Sequence, residues 1–308
     1  MSRRGWVLFL AMGVIWGIPY LLIKVAVEEL APSTLVLMRT ALAALLLLPV
    51  ALARGQIRPL FAQWWPLLVY TVIEICIPWL LLGYAELRLS SSLTGLLIAA
   101  VPLVGAVLAL TTGDHERIGG RRLLGLLVGL AGVAALVGFE IGARDVWSVL
   151  ALAGVAICYA VGPIVLSRRL SDLPAFGVVA ASLALAAVAY LPAGLAQAPA
   201  ALPSAEVIGA VVLLAVVCTA LAFLVFFALI AEVGAARSVV ITYLNPAVAV
   251  LLGVTLLDEA FTLATAVGFV LILLGSVLAT TRPVPPRPVA GHRGDLDCAA
   301  VAQPVGEP

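Results

Sequence analysis

The chain has 308 residues, 64% of them hydrophobic and 11% charged, with a net charge of +1 and a mean hydropathy of +1.22. A soluble domain is near half apolar and a quarter charged, so this chain has too few polar residues to cover an aqueous core, and the bilayer is its natural solvent. The near-neutral charge, with no basic cluster interleaved with aromatics, excludes an obvious nucleic-acid partner.

Met1 to Gly5 precede an apolar run from Trp6 to Val27 that is too long for the hydrophobic region of a signal peptide and reads as the first span. A span needs about 20 mostly apolar residues. Further segments of this kind run over 33–53, 66–86, 92–112, 121–139, 147–167, 175–195, 206–230, 238–257 and 262–281. Turn and charge signals separate them, among them Glu28-Glu29 with Pro32, Asp114 to Arg122, Arg168-Arg169 with Pro174, and Asp258-Glu259. With the N-terminus cytoplasmic, thirteen arginines fall inside, from Arg3 and Arg4 through Arg121 and Arg122 to Arg293, against Arg88 and Arg144 outside. An even number of spans returns the C-terminus to the cytoplasm. The expected fold is therefore an all-α membrane protein of ten transmembrane helices with both termini cytoplasmic. Residues 282–308, which open on Arg282-Pro283-Val284-Pro285-Pro286-Arg287-Pro288, hold too little apolar content to fold and are expected to form a disordered cytoplasmic tail.

Cys76, Cys158, Cys218 and Cys298 show no paired spacing, so neither a disulfide framework nor a zinc site is expected. No Gly-rich phosphate loop with its lysine is present, which argues against direct ATP use. No cofactor and no metal are predicted. Lys24 is the only lysine among the 17 basic residues, a composition typical of a high-GC bacterial genome.

The chain also repeats itself. Glu116, Gly125 and Gly132 follow Pro102, and Glu259, Gly268 and Gly275 follow Pro246 with nearly the same spacings. The prolines are offset by 144 and the glutamates by 143, while Pro32 matches Pro174 and Pro49 matches Pro192. Two copies of five spans, 5–139 and 147–281, fill the chain. Five is odd, so the second copy must cross the membrane with inverted orientation. Two such halves can expose a shared central site to either side in turn.

Trp16-Gly17 in the first span, Arg39 in the second, and the paired Pro…Glu…Gly…Gly ends resemble the drug/metabolite transporter superfamily, specifically the bacterial EamA-type exporters. The resemblance covers residues 5–281 and implies a multi-pass carrier of the cell membrane. Its implied substrates are small organic solutes, amino acids or related amphipathic metabolites, moved outward. The second copy departs from the first: Tyr159-Ala160 stand where Trp16-Gly17 do, and Ala181-Ser182 where Arg39 does.

A charge within a span is costly and marks a functional candidate. Lys24 lies near the outer end of the first span, within snorkelling reach of the headgroups. Arg39 can grip a carboxylate or phosphate through its fork, or form a structural pair with Glu28, Glu29 or Glu86. Glu74 lies mid-span, four residues before Pro78, and can carry a coupling proton, bind a substrate ammonium, or be satisfied by Arg39 or a neighbouring hydroxyl. Pro19, Pro78, Pro102, Pro163 and Pro246 interrupt spans and free carbonyls that only protein or a wet cavity tolerates. Asn245 and Tyr243 are candidate polar contacts beside Pro246. Trp16, Tyr20, Trp79, Tyr84 and Tyr159 are candidate aromatic walls, or members of interfacial belts with Trp6, Trp64, Trp65 and Trp147. Glu116 and Glu259 are expected to cap helix starts. Gly125 with Gly129, and Gly275 with Ala279, are small-residue pairs that allow close helix approach. Two other classes stay open: an intramembrane lipid- or glycan-modifying enzyme, and a non-transporting channel or structural protein. The enzyme reading has little chemistry at membrane depth, since His115 and His292 both fall in cytoplasmic segments. The sequence specifies no oligomeric state.

Overall fold

The structure, a computed structural model, describes residues 2–111, 120–140, 145–234 and 238–280. Glu116, His115, Cys298, His292 and the tail 282–308 lie outside the described residues. Every regular element among those described is helical. The long apolar segments are α1 (Arg3–Ala26), α2 (Pro32–Ala53), α3 (Arg58–Glu86), α4 (Ser91–Leu108), α5 (Gly120–Gly138), α6 (Val146–Arg169), α7 (Ala175–Ala196), α8 (Ala205–Val233), α9 (Val240–Leu256) and α10 (Leu263–Thr280). Nine are long and apolar enough to cross a membrane and α9 is shorter. At 1.5 Å per residue even the 18-residue α4 and α10 span about 27 Å, close to the hydrocarbon thickness.

Local chemistry sets the boundaries. Ser2, Ser90 and Ser204 cap α1, α4 and α8, their side chains accepting N–H bonds from Gly5, Leu93 and Val207. Pro32 occupies the first turn of α2 after an extended Ala31, where its missing N–H costs nothing. Mid-helix surfaces are apolar and open, as at Leu45, Leu130 and Val188, 71%, 64% and 69% exposed. Water would not tolerate so continuous an apolar surface.

The helices pair in a pattern with internal symmetry. Lengths match five places apart: α1 and α6 have 24 residues, α2 and α7 have 22, α3 and α8 have 29. The packing contacts follow. α5 packs on α10, α2 on α7 and α4 on α9, while the pairs α3–α6 and α1–α8 exchange when the halves are exchanged. α5 and α10 approach backbone to backbone, because a Cβ at Gly125 would lie 2.8 Å from Gly275 O and one at Gly132 2.9 Å from Ile272 N.

Two departures from this symmetry shape the interior. The C-terminal half of α1 (Pro19–Ala26) packs on α3 and on the first half of α4. Their exchange partners, α6 with α8 and α6 with α9, make no comparable contact among the described residues. Among the described residues the molecule is therefore closed at one end and parted at the other, where Arg121 and Arg122 stand.

Candidate functional site

A cavity of about 1000 Å³ runs between the halves. Its lining reaches the surface at the arginine-rich end, through Arg121, Arg122, Ala175 and Thr280, and ends blind at Tyr20, Ile23, Leu82 and Ile98.

Helix irregularities place its polar side chains. α3 contains a π-turn over Val72–Cys76 and α8 one over Val216–Leu221, 144 residues later, the offset of Pro102 and Pro246. A π-turn adds one residue to a turn and frees a carbonyl, and such turns cluster at functional sites. Glu74 sits inside the first, just before Pro78. The Tyr190 hydroxyl takes the loosened Cys76 carbonyl at 2.9 Å. In the second, the Thr219 hydroxyl donates to Leu214 O at 2.8 Å and its oxygen accepts Arg39 Nε–H at 3.0 Å. Arg39 thus bridges the halves, its guanidinium 3.7 Å from the centre of the Trp79 ring. This differs from a pairing with Glu28, Glu29 or Glu86: the stacked ring and the hydroxyl fix the fork without neutralising it.

Glu74 is likewise not paired with Arg39. Its Oε2 is buried with no hydrogen-bond partner, packed against Gly162 of α6 so closely that a Cβ at 162 would collide with the carboxylate. Gly162→Ala should therefore push the Glu74 carboxyl aside, at little cost in stability because the atoms it meets are the far end of a flexible side chain. Solute affinity, measured by equilibrium binding, should fall tenfold or more, and unchanged affinity would show that the Glu74 position is irrelevant.

Trp16 meets Phe226 at 4.8 Å and Phe223 edge-on at 6.2 Å, and Phe227 stacks on Phe223 at 6.3 Å. With Tyr20, Trp79 and Tyr159 they make an aromatic wall. Sequence reasoning missed Tyr70, Thr219, Gly162 and the three phenylalanines; the spacing of Phe223, Phe226 and Phe227 on one helical face was the available signal.

Pro19, Pro102, Pro163 and Pro246 all border the cavity, whereas Pro78 is buried away from it. α1 breaks at Ile18, α4 at Ala99-Ala100, and α9 starts as a tight 3-10 turn before Asn245. α6 runs unbroken through Pro163. Asn245 lines the cavity, but with its amide nitrogen turned to Gly13 O and Ile241 O, 3.0 Å from each, it sews the α9 break to α1. Tyr243 bonds Thr280 Oγ1 at 3.0 Å and does not line the cavity; Tyr84 faces outward, 45% exposed. Trp6, Trp64, Trp65 and Trp147 are all exposed near helix ends, as belts require.

At the closed end, Glu259 caps a helix, but not its own. Its carboxylate accepts the N–H groups of Ser91 (2.7 Å) and Ser92 (2.9 Å) and the Ser92 hydroxyl, so the second half caps α4 of the first. Asp258, at φ 53°, turns the chain back, and Gly253 leaves the room. Lys24 does not reach for headgroups; its ammonium donates to Glu86 O at 2.7 Å and Leu89 O at 3.0 Å, tying α1 to the α3–α4 connection. Glu29 accepts Ser204 N–H at 2.8 Å, and the bonds from Ser204 hold this exposed carboxyl below the usual carboxylate range. A depressed carboxylate adds support at neutral pH that is lost as pH falls through its own titration.

Residues 3–138 and 146–281 each match the EamA-like transporter family. The chain belongs to the EamA-like transporter family. Among its relatives, the uncharacterized transporter YvbV of Bacillus subtilis is 28% identical over 276 residues, covering 87% of this chain and 89% of its own. The uncharacterized inner membrane transporter YedA of Escherichia coli is 30% identical over 294 residues, covering 89% and 92%. A solved structure described only as "Crystal structure of protein" shares the fold at a TM-score of 0.65 and 22% identity, over 91% of this chain and 98% of that one. As an EamA-family transporter this chain is a multi-pass protein of the cell membrane.

Proposed function

We propose that this protein is a secondary transporter that exports small zwitterionic solutes, amino acids or related amphipathic metabolites, by alternating access. One observation carries this reading: a single cavity holds Arg39 and Glu74, each fixed by its own neighbours and each left with unused hydrogen-bonding capacity. An ionisable group left unsatisfied inside a span is expensive and persists where a ligand completes it. A solute carboxylate on the Arg39 fork and an ammonium on Glu74 would satisfy both, with the apolar portion against the aromatic wall.

In this reading the two halves, 5–139 and 147–281, are inverted five-helix repeats giving ten spans, with both termini and the tail cytoplasmic. The arginine-rich opening is the loading face. The closed-end contacts of α1 with α3 and α4, which lack comparable counterparts at the open end among the described residues, support a rocking motion that exchanges one asymmetry for the other. Glu259 is a latch of the closed end. Glu259→Gln should shift the population outward, read as faster labelling of a cysteine placed at Ile23 by a membrane-impermeant reagent applied outside. Unchanged labelling would remove the latch.

The functional test is counterflow in proteoliposomes of the purified protein against a panel of amino acids and related amphipathic amines and acids. Saturable exchange that requires both charged ends of the solute supports the reading. Equal transport of the amine or acid lacking one end would overturn the two-point site.

A further inference from the structure

Glu86 has no part in the cavity. It is fully buried at the outer end of α3, and neither Oε1 nor Oε2 has a hydrogen-bond partner. Lys24 of α1 contributes an ammonium, but one directed at the backbone carbonyls of Glu86 and Leu89 rather than at the carboxyl. Among the described residues, Arg39 of α2, held by Thr219 and Trp79, Tyr20 of α1 and Glu259 of the α9–α10 turn are the other ionisable groups within electrostatic reach. α7 carries no charged residue, and the charges of α6 are Arg168 and Arg169 at its far end. Ser91 Oγ and Thr94 Oγ1, one turn apart at the start of α4, are also buried without partners.

An ionised carboxylate stripped of water and of every hydrogen bond costs several kcal/mol or more, far above what a cation directed elsewhere returns at that depth. The neutral acid is the form this environment tolerates. What strips Glu86 of water is the packing of the outer half of α1 on α3 and α4. Among the described residues that packing has no comparable counterpart in the second half. The position 144 residues on is Ile230, an apolar residue lining the open cavity.

We propose that Glu86 is a proton-binding site separate from the solute cavity, filled when the outer end closes over it and exchanging its proton with outside water when α1 parts from α3 and α4. The proton comes from water at the outer face and adds to one carboxylate oxygen of Glu86; no other bond changes. Closure of the outer end and uptake of one proton are then the same event, so outside acidity favours the closed outer end and outside alkalinity the open one. The unpartnered Ser91 and Thr94 hydroxyls mark where water would enter on opening. This rests on the alternating-access reading, since only a chain that opens outward lets the proton exchange.

The test needs no solute. The infrared spectrum of the purified chain in proteoliposomes near neutral pH should contain the carbonyl stretch of a protonated, non-hydrogen-bonded carboxylic acid. Glu86→Gln should remove it and Glu74→Gln leave it, while Lys24→Met, which cuts one tie between α1 and the α3–α4 connection, should not create it. A band untouched by Glu86→Gln overturns the proposal. So does one that emerges only in Lys24→Met, because Glu86 would then be ionised and paired; this arm decides the matter even if the Gln variant fails to fold. The link to closure is read in Glu259→Gln, where the Glu86 band should weaken as the outer end opens; a band of full strength in a variant whose outer labelling has risen overturns the link. Failure of counterflow would sink the solute reading and leave the band intact, so the two can fail separately.

Discussion

Arg39→Gln should lower solute affinity by about tenfold to a hundredfold while the protein remains folded. Of the five N–H donors of the guanidinium, the hydrogen bonds among the described residues use only Nε–H, to Thr219. Arg39 borders the cavity, so the remaining donors are available to a carboxylate. A hydrogen bond to a charged group is worth about 1.5–3 kcal/mol, which is roughly one to two decades in affinity. Glutamine keeps one amide for Thr219 but loses the charge and the fork. Arg39→Lys keeps the charge without the fork and should fall between, because a point cation cannot bond a carboxylate through two parallel N–H groups. The complementary variant, Glu74→Gln, should lose a similar factor for solutes with an ammonium group. Its thermal stability should be equal or higher, because it replaces a carboxyl whose buried Oε2 has no partner. Binding by scintillation proximity together with thermal unfolding checks both. If affinity and unfolding temperature fell together in each variant, the two charges would be scaffolding and the two-point site would be wrong.

Gly275→Val should prevent stable assembly. A side chain there would meet the backbone of Gly129 and Gly125 O, and neither can move as a flexible side-chain tip could. Gly125 faces Gly275 O and Ala279 N in return, so the α5–α10 seam is closed from both sides. Overpacking costs about 1–3 kcal/mol when neighbours adjust and more when they are backbone, so a loss of about 3 kcal/mol or more is expected. Lipid offers no hydrophobic force to press the two helices back together. Gly209→Ala is the matched control: its Cβ would meet nothing within 4 Å, and removing a mid-helix glycine should gain about 0.5–1 kcal/mol. Fluorescence-detected size exclusion after heating checks the pair. Equal behaviour would mean that the seam contributes nothing.

The sequence by itself determined the solvent, the long apolar helices and the duplication, because each is written in composition and spacing. Twenty apolar residues in a row have one stable environment, and prolines and glycines 143 or 144 residues apart have no simpler cause than a repeat. It also singled out Arg39 and Glu74, since a charge in a span is conspicuous wherever the span points. What it could not supply was the rotation of each helix about its axis. In water an apolar stripe tells which face is inside; in a bilayer both faces are apolar, and the stripe vanishes. That is why Tyr84, expected on the cavity wall, faces outward, why Tyr243 bonds Thr280 instead, and why Phe223, Phe226 and Phe227 went unnoticed. Close backbone contact at glycines and the paired π-turns of α3 and α8 set those rotations. The tertiary structure alone decided which end is open, that Glu259 caps the other half's helix, and that Glu86 lies buried without a partner. Each of these depends on residues more than sixty positions apart meeting in space, and on which of two nearly symmetric packings the chain occupies.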